Sequence, residues 1–355
     1  MGHIDASVDI REGEELNLAR VTEFLQDTLP GVSGEVCIRQ FPSGFSNLTY
    51  SIQIGDRDLI LRKPPHGKKA KSAHDMAREY RILKALKPVF PYAPEALVYS
   101  EELSVVGSPF YVMERIKGMI LRRNFPKDFV LPPRDAGRLC ENLMDVLCRL
   151  HGLDYIEIGL EGFGKPEGYV RRQVEGWSSR YRDARTPDAP DYEQVMGWLH
   201  EHMPPDSQKP AIIHNDYKFD NVVLNPENPL EIIGVLDWEM ATIGDPLMDL
   251  GSSMAYWVNR DDPENVQLIR MLPTNAEGML SRDELVSLYL SKTGRETQCF
   301  DFYLCFGFFR LAVIAQQIYY RYYHGQTRDK RFAMLIVAVQ VLEQAAKDLI
   351  GRSEL

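Results

Sequence analysis

The stretch His214-Asn-Asp216-Tyr-Lys-Phe-Asp-Asn221, which follows the apolar run Ala211-Ile-Ile213, decides the reading of this 355-residue chain. An Asp and an Asn five residues apart across a tight loop can face the same space, one toward a nucleophile and one toward a metal. A His, Asp and Asn after a strand could also simply cap the next turn. Sixteen residues beyond Asn221, Asp237 ends a second apolar run, Ile232-Ile-Gly-Val-Leu236. An acid there has no core partner but can reach a metal.

Working outward from that stretch, Glu79 lies three residues after Met76, four before Leu83 and seven before Leu86, on the apolar stripe of a helix. A carboxylate on that stripe requires a buried cation. The preceding strand offers Arg62 or Lys63, whose side chains point to opposite faces because strand residues alternate. Between two earlier strands, Pro42-Ser43-Gly44-Phe-Ser46-Asn47 is a short polar turn whose N–H groups and hydroxyls could cover phosphates. The spacing H-x-D, four residues, N is that of kinase catalytic loops, and a strand-terminal Asp and a strand-cation/helix-Glu pair complete the kinase set. Asp237 is followed by Trp238-Glu239 in place of Phe-Gly.

The pattern changes along the chain. Residues 36–41, 49–54 and 59–63 alternate like strands, with Gly55-Asp56 as a hairpin signal. Ser72 and Asp75 suggest a capping box before a helix over 76–87. Strands are expected at 96–100 and 110–114, helices at 16–29, 135–150, 192–202, 282–292, 300–323 and 331–350, and short strands at 211–213, 221–224 and 231–236. The expected fold is α+β: a small antiparallel-sheet lobe over 1–116 and a large, mainly helical lobe over 117–355.

With 41 Lys+Arg against 51 Asp+Glu, the net charge of −10 argues against broad nucleic-acid binding. The five cysteines lack paired spacings and fit reduced thiols in a cytoplasm. The first 15 residues lack the basic start and apolar run of a secretory signal. The stretch 300–320 is broken by Asp301, Arg310, Gln316 and Gln317, so no membrane span is expected.

His214 to Asn221, Asp237-Trp-Glu239 and Gly244-Asp-Pro246 with Asp249-Leu resemble the aminoglycoside phosphotransferase/choline kinase family. Leu61-Arg-Lys-Pro-Pro65, Arg78-Glu-Tyr80, Tyr111-Val-Met-Glu114 and Asp237-Trp-Glu-Met-Ala241 resemble its acyl-CoA-dehydrogenase-associated branch. The resemblance runs over about residues 35 to 350. It implies a protein-kinase-like two-lobed fold, ATP or GTP in the cleft, Mg²⁺ and a small-molecule hydroxyl as acceptor. Asp216 would be the catalytic base, Asn221 and Asp237 the Mg²⁺ ligands, and Glu79 the partner of the phosphate-binding cation, Arg62 or Lys63. Ser43, Gly44, Ser46 and Asn47 would cover the nucleotide, and Met113, Glu114 and Ile116 would meet its base, the last two through their backbone. His214 and Asp249 would support the catalytic loop.

An enzyme for polycationic aminoglycosides should line its acceptor site with acid. Between Lys165 and Arg185 this chain has six basic residues against three acidic ones. Arg172, Trp177, Arg180 and Tyr181 are therefore candidates for binding an anionic acceptor, a hydroxy acid or hydroxyacyl thioester, through stacking and guanidinium contacts. A mixed charged helix face is the plainer alternative. Rival readings are an antibiotic kinase and a catalytically weak nucleotide-binding module, although a module without catalysis has no chemical reason to keep Asp216, Asn221 and Asp237 together.

Overall fold

A computed structural model describes residues 5–41, 47–65 and 75–355. Ser43, Gly44, Ser46, Ser72 and the basic run 66–71 lie outside the described residues. In chain order the elements are α1 (Leu18–Thr28), β1 (Val36–Gln40), β2 (Leu48–Ile54), β3 (Arg57–Lys63), α2 (Met76–Leu86), β4 (Ala96–Ser100), α3 (Leu103–Val106) and β5 (Phe110–Glu114). There follow α4 (Pro133–His151), α5 (Tyr169–Ala184), α6 (Glu193–Glu201), β6 (Ala211–Ile213), β7 (Val222–Leu224), β8 (Ile232–Val235) and β9 (Thr242–Gly244). The chain ends in α7 (Pro246–Ala255), α8 (Glu264–Leu268), α9 (Arg282–Thr293), α10 (Asp301–Tyr323) and α11 (Leu335–Arg352).

The chain divides into two compact units. The first comprises Met1–Ile120, Ile158–Leu160 and Asn221–Ala241. Its five-stranded sheet runs β1-β2-β3-β5-β4 and is antiparallel throughout. The β2–β3 hairpin turns through Gly55-Asp56, and Gly55 takes φ +54°, the left-handed conformation that the first central residue of a II′ turn requires. One face buries Tyr50, Ile52, Leu59, Leu61, Phe110 and Val112 against Val21 and Leu25 of α1. Asp75 is the N-cap of α2, accepting from Arg78 N at 3.0 Å, so the helix begins one residue after it and Asp75 is not the third position of a box opened by Ser72.

Sequence pattern alone gives 221–241 to the large lobe and ends the small one at 116. The backbone groups them otherwise: β7 and β8 form a two-stranded ribbon, Leu224 exchanges backbone hydrogen bonds with Met119 (2.8 and 2.9 Å), and Val235 N donates to Tyr92 O at 2.8 Å. Trp238 closes the join, buried edge-on against Phe90 with its indole N–H donating to Val235 O.

The second unit comprises Leu121–Glu157, Glu161–Asp220 and Thr242–Leu355. Here β6 pairs with β9, and α10 packs against α5, α7 and α11. By length and composition α10 is apolar enough to cross a membrane despite Asp301, Arg310, Gln316 and Gln317, because these few polar residues do not outweigh its aromatic and aliphatic ones. Of its most apolar 18 residues, 78% are buried inside the protein, as befits a core helix.

Candidate active site

In the first unit, β3 and α2 build a buried ion pair. Arg62 donates to Glu79 Oε1 at 2.6 Å, with side-chain exposures of 9% and 2%. The same guanidinium reaches Asp237 Oδ1 at 3.0 Å and Glu239 Oε2 at 3.4 Å, and Glu239 Oε2 accepts from Asn47 Nδ2 at 2.7 Å. Burial opposes charge on Arg62, but the carboxylate of Glu79, then Asp237 and Glu239, outweigh it and hold its pKa well above the ordinary value. Burial pushes the Glu79 carboxyl upward, and Arg62 offsets this only in part. Strand alternation settles which cation meets Glu79. Lys63 faces the other way, its ammonium donating to Val106 O.

The β7–β8 register sets Val222 opposite Val235, and Leu236 N donates to Asn221 O at 2.8 Å. Asn221 and Asp237 therefore come to the same end of the ribbon. Asp237 takes φ +67°, unusual for a residue with a side chain, at the turn from β8 into a short 3₁₀ segment. Two hard oxygen donors, one with its side chain 37% exposed, suit Mg²⁺, which is held through one or two protein oxygens plus phosphates and water. Among the described residues no cluster of three His, Cys, Asp or Glu forms an all-protein metal cage.

In the second unit the loop after β6 is held from below. The fully buried Asp249 of α7 accepts His214 N and Asn215 N, each at 2.7 Å, and meets His151 Nε2 at 3.1 Å, while His151 Nδ1 lies 2.7 Å from Tyr289 Oη. Burial alone would raise the Asp249 pKa, but these donors hold it below the usual range. Asn215 takes φ +64°, and its carbonyl accepts from Arg310 at 2.7 Å. Beyond it, the Lys218 ammonium bonds Asp216 Oδ2, lies 3.4 Å from Asp220 Oδ1, and sits 4.9 Å from the centre of the Tyr256 ring. Burial raises the Asp220 pKa, and burial with the nearby Asp216 pushes Tyr256 up to about 12.

The remaining candidates divide between the two units. Glu114 N–H donates to Glu95 O at 2.9 Å and its carboxylate takes Lys87 at 2.8 Å, so the Glu114 N–H is already committed; Met113 is buried, pairing with Ile60. Ile116 packs against Gly234, where an added Cβ would lie 2.8 Å from it. Arg172 bonds the carbonyls of Lys165 and Glu167. Tyr181 is a core residue, its hydroxyl donating to Pro190 O at 2.6 Å and its ring packed on Tyr192 and Phe309. Trp177 is buried with Arg180 4.6 Å and Arg310 5.2 Å from its ring centre. Lys218, Glu239 and Arg310 were not singled out by spacing. The one available signal was Arg310, a lone cation in an apolar helix.

Residues 38–275 match the phosphotransferase enzyme family, APH. Acyl-CoA dehydrogenase family member 11 of Gallus gallus is 33% identical over 356 residues, covering 97% of this chain and 45% of that protein. Acyl-CoA dehydrogenase family member 10 of Mus musculus is 36% identical over 299 residues, covering 83% and 27%. The chain thus spans less than half the length of these relatives. A crystal structure of a candidate aminoglycoside phosphotransferase from Ralstonia eutropha JMP134 superposes with a TM-score of 0.81 at 27% identity, covering 96% of this chain and all of that one. Choline kinase from Cryptosporidium parvum Iowa II gives 0.61 at 14% identity, with 95% and 97% covered. A thermostable mutant of aminoglycoside phosphotransferase APH(4)-Ia, in ternary complex with AMP-PNP and hygromycin B, gives 0.58 at 14%, with 94% and 98% covered. The fold is kinase-like, and the chain belongs to the phosphotransferase enzyme family.

Proposed function

We propose that this chain transfers the γ-phosphoryl group of ATP or GTP to a hydroxyl of a small anionic molecule, a hydroxy acid or hydroxyacyl thioester. The observation that carries the reading is the β7–β8 register, which brings Asn221 and Asp237 to one end of a ribbon, with Asp237 tied to the buried Arg62–Glu79 pair. Asn221 and Asp237 would hold Mg²⁺, which when bound neutralises charge developing on the phosphoryl oxygens. Arg62, fixed by Glu79, presents a rigid fork to the nucleotide phosphates. Asp216 aligns the acceptor hydroxyl in line with the γ-phosphorus. The oxygen–phosphorus bond forms as the β–γ bridging bond breaks, the nucleoside diphosphate leaves, and the hydroxyl proton passes to the Asp216 carboxylate. The excess of basic residues on and around α5 favours an anionic acceptor over a polycation.

A nucleotide-consumption screen over hydroxylated small molecules grouped by charge tests this, with Asp216→Ala as the blank. Turnover concentrated among anionic acceptors is expected. Full turnover by both Asp216→Asn and Asn221→Ala would overturn the mechanism, and micromolar binding of an aminoglycoside that no anion competes would overturn the acceptor class.

A further inference from the structure

Arg310 is 4% exposed in the middle of α10, inside the second unit. A buried guanidinium normally sits against a carboxylate, because removing its charge from water is costly. Here no Asp or Glu oxygen among the described residues lies within 4.0 Å of it. Its contacts are one hydrogen bond, from Nη2 to the carbonyl of Asn215, and the face of Trp177. One bond and one aromatic face leave most of its five N–H donors without a protein acceptor. Asn215 directly precedes Asp216, and Tyr256 feels the charges of Asp216, Lys218 and Arg310 together. The second unit thus holds a largely buried guanidinium with no carboxylate partner among the described residues, held by Asn215 and Trp177 beside the residue proposed as the base.

We propose that Arg310 anchors the carboxylate of the acceptor, with Trp177 as the wall of the subsite. Only the identity of the ligand as acceptor rests on the phosphotransferase reading; the anion site rests on Arg310 itself. The guanidinium fork matches a carboxylate bidentately while Nη2 keeps its bond to Asn215. Trp177, 6% exposed and in contact with both Arg180 and Arg310, fixes the guanidinium and would border the adjoining chain of the ligand. The acceptor hydroxyl is then presented to Asp216 from a fixed anchor, so that this site selects hydroxy acids over neutral alcohols of the same length.

Calorimetric titration of the full chain with hexanoate and with hexanamide, without nucleotide, tests the site. Hexanoate is expected to bind wild type in preference to hexanamide, and to lose about 30-fold in affinity in Arg310→Gln. Arg310→Lys, which keeps the charge, is expected to retain the preference for hexanoate and decides the matter if Arg310→Gln does not fold. Equal binding of the two probes by wild type, absence of hexanoate binding, unchanged hexanoate affinity in Arg310→Gln, or loss of the preference in a folded Arg310→Lys would each overturn the proposal. So would weakened AMP-PNP binding with hexanoate unaffected in Arg310→Gln, which would assign the guanidinium to phosphate. Hexanoate has no hydroxyl, so failure here leaves phosphoryl transfer untouched, whereas absence of turnover with every hydroxylated compound would sink that reading and leave the anion site standing.

Discussion

Arg62 and Glu79 meet at 2.6 Å with almost no solvent on either side chain. Such a pair adds little net stability compared with apolar packing, but removing one partner strands a buried charge. Arg62→Met is therefore expected to cost roughly 3–5 kcal/mol in urea unfolding, and the double variant Arg62→Met/Glu79→Leu to regain most of it. The Arg62–Asp237 contact is partly exposed on the Asp side and is discounted accordingly. A double variant no more stable than Arg62→Met alone would show that the pair does not act as a unit.

Lys218 is wedged between Asp216 and Asp220. Burial works against its charge, yet Tyr256, Asp216 and Asp220 raise its pKa. With the folded value above the unfolded one of about 10.4, its stabilisation is complete at neutral pH and fades only as pH climbs past that value. Lys218→Met leaves two carboxylates facing each other, and Asp220 already has a raised pKa from burial. Its folded form favours the proton, so the ionisation penalty is absent below about pH 4 and grows as pH rises. The variant should lose about 3 kcal/mol at pH 7 and distinctly less at pH 4 to 5, measured by thermal unfolding across pH. A pH-independent loss would contradict this arrangement.

Much of this was legible locally. The strand at 59–63 and the buried stripe that carries Glu79 beside Met76, Leu83 and Leu86 are one-dimensional signals that the fold obeys. What escaped depends on partners distant in sequence. The choice between Arg62 and Lys63 needed strand pairing to fix which face meets α2. The placing of 221–241 needed the Met119–Leu224 bridge, which no local pattern announces. Helix α7 was missed because all ten of its residues are buried, so its sequence shows no polar face and no period. Arg310 reads as an interruption in an apolar run until its burial against Trp177 and Asn215 is known.

Asp249 holds the loop that carries Asp216 through the backbone N–H groups of His214 and Asn215. Asp249→Asn keeps one carbonyl oxygen for three donors. It should cost about 2–4 kcal/mol at pH 7 and about 100-fold in kcat through displacement of the loop, with nucleotide affinity little changed. The folded pKa of Asp249 is depressed, so its stabilisation is present above the unfolded value of about 3.9 and disappears as pH falls through the folded one. The stability gap between wild type and Asp249→Asn should therefore narrow below about pH 4. A gap that stays constant to pH 2 would mean that the carboxylate charge is not what holds the loop.

Helix α10 has the length and hydropathy of a membrane span, and its contact with α7 distinguishes a packed helix from a lipid-facing one. At the crossing, a Cβ added to Gly307 would lie 2.2 Å from Gly251 O, and one added to Gly251 would lie 2.2 Å from Tyr303 O. Backbone atoms this close cannot give way as a flexible side chain would. Gly307→Ala should therefore destabilise by about 1–3 kcal/mol as the helices are forced apart, despite the better helix propensity of alanine. Gly176 in α5 provides the contrast: nothing lies within 4 Å of its added Cβ, so Gly176→Ala should gain up to about 1 kcal/mol. Both are read by urea unfolding without detergent. If Gly307→Ala proved as stable as wild type, the surface of α10 at Gly307 would have room for a methyl group and the close crossing with α7 would be excluded.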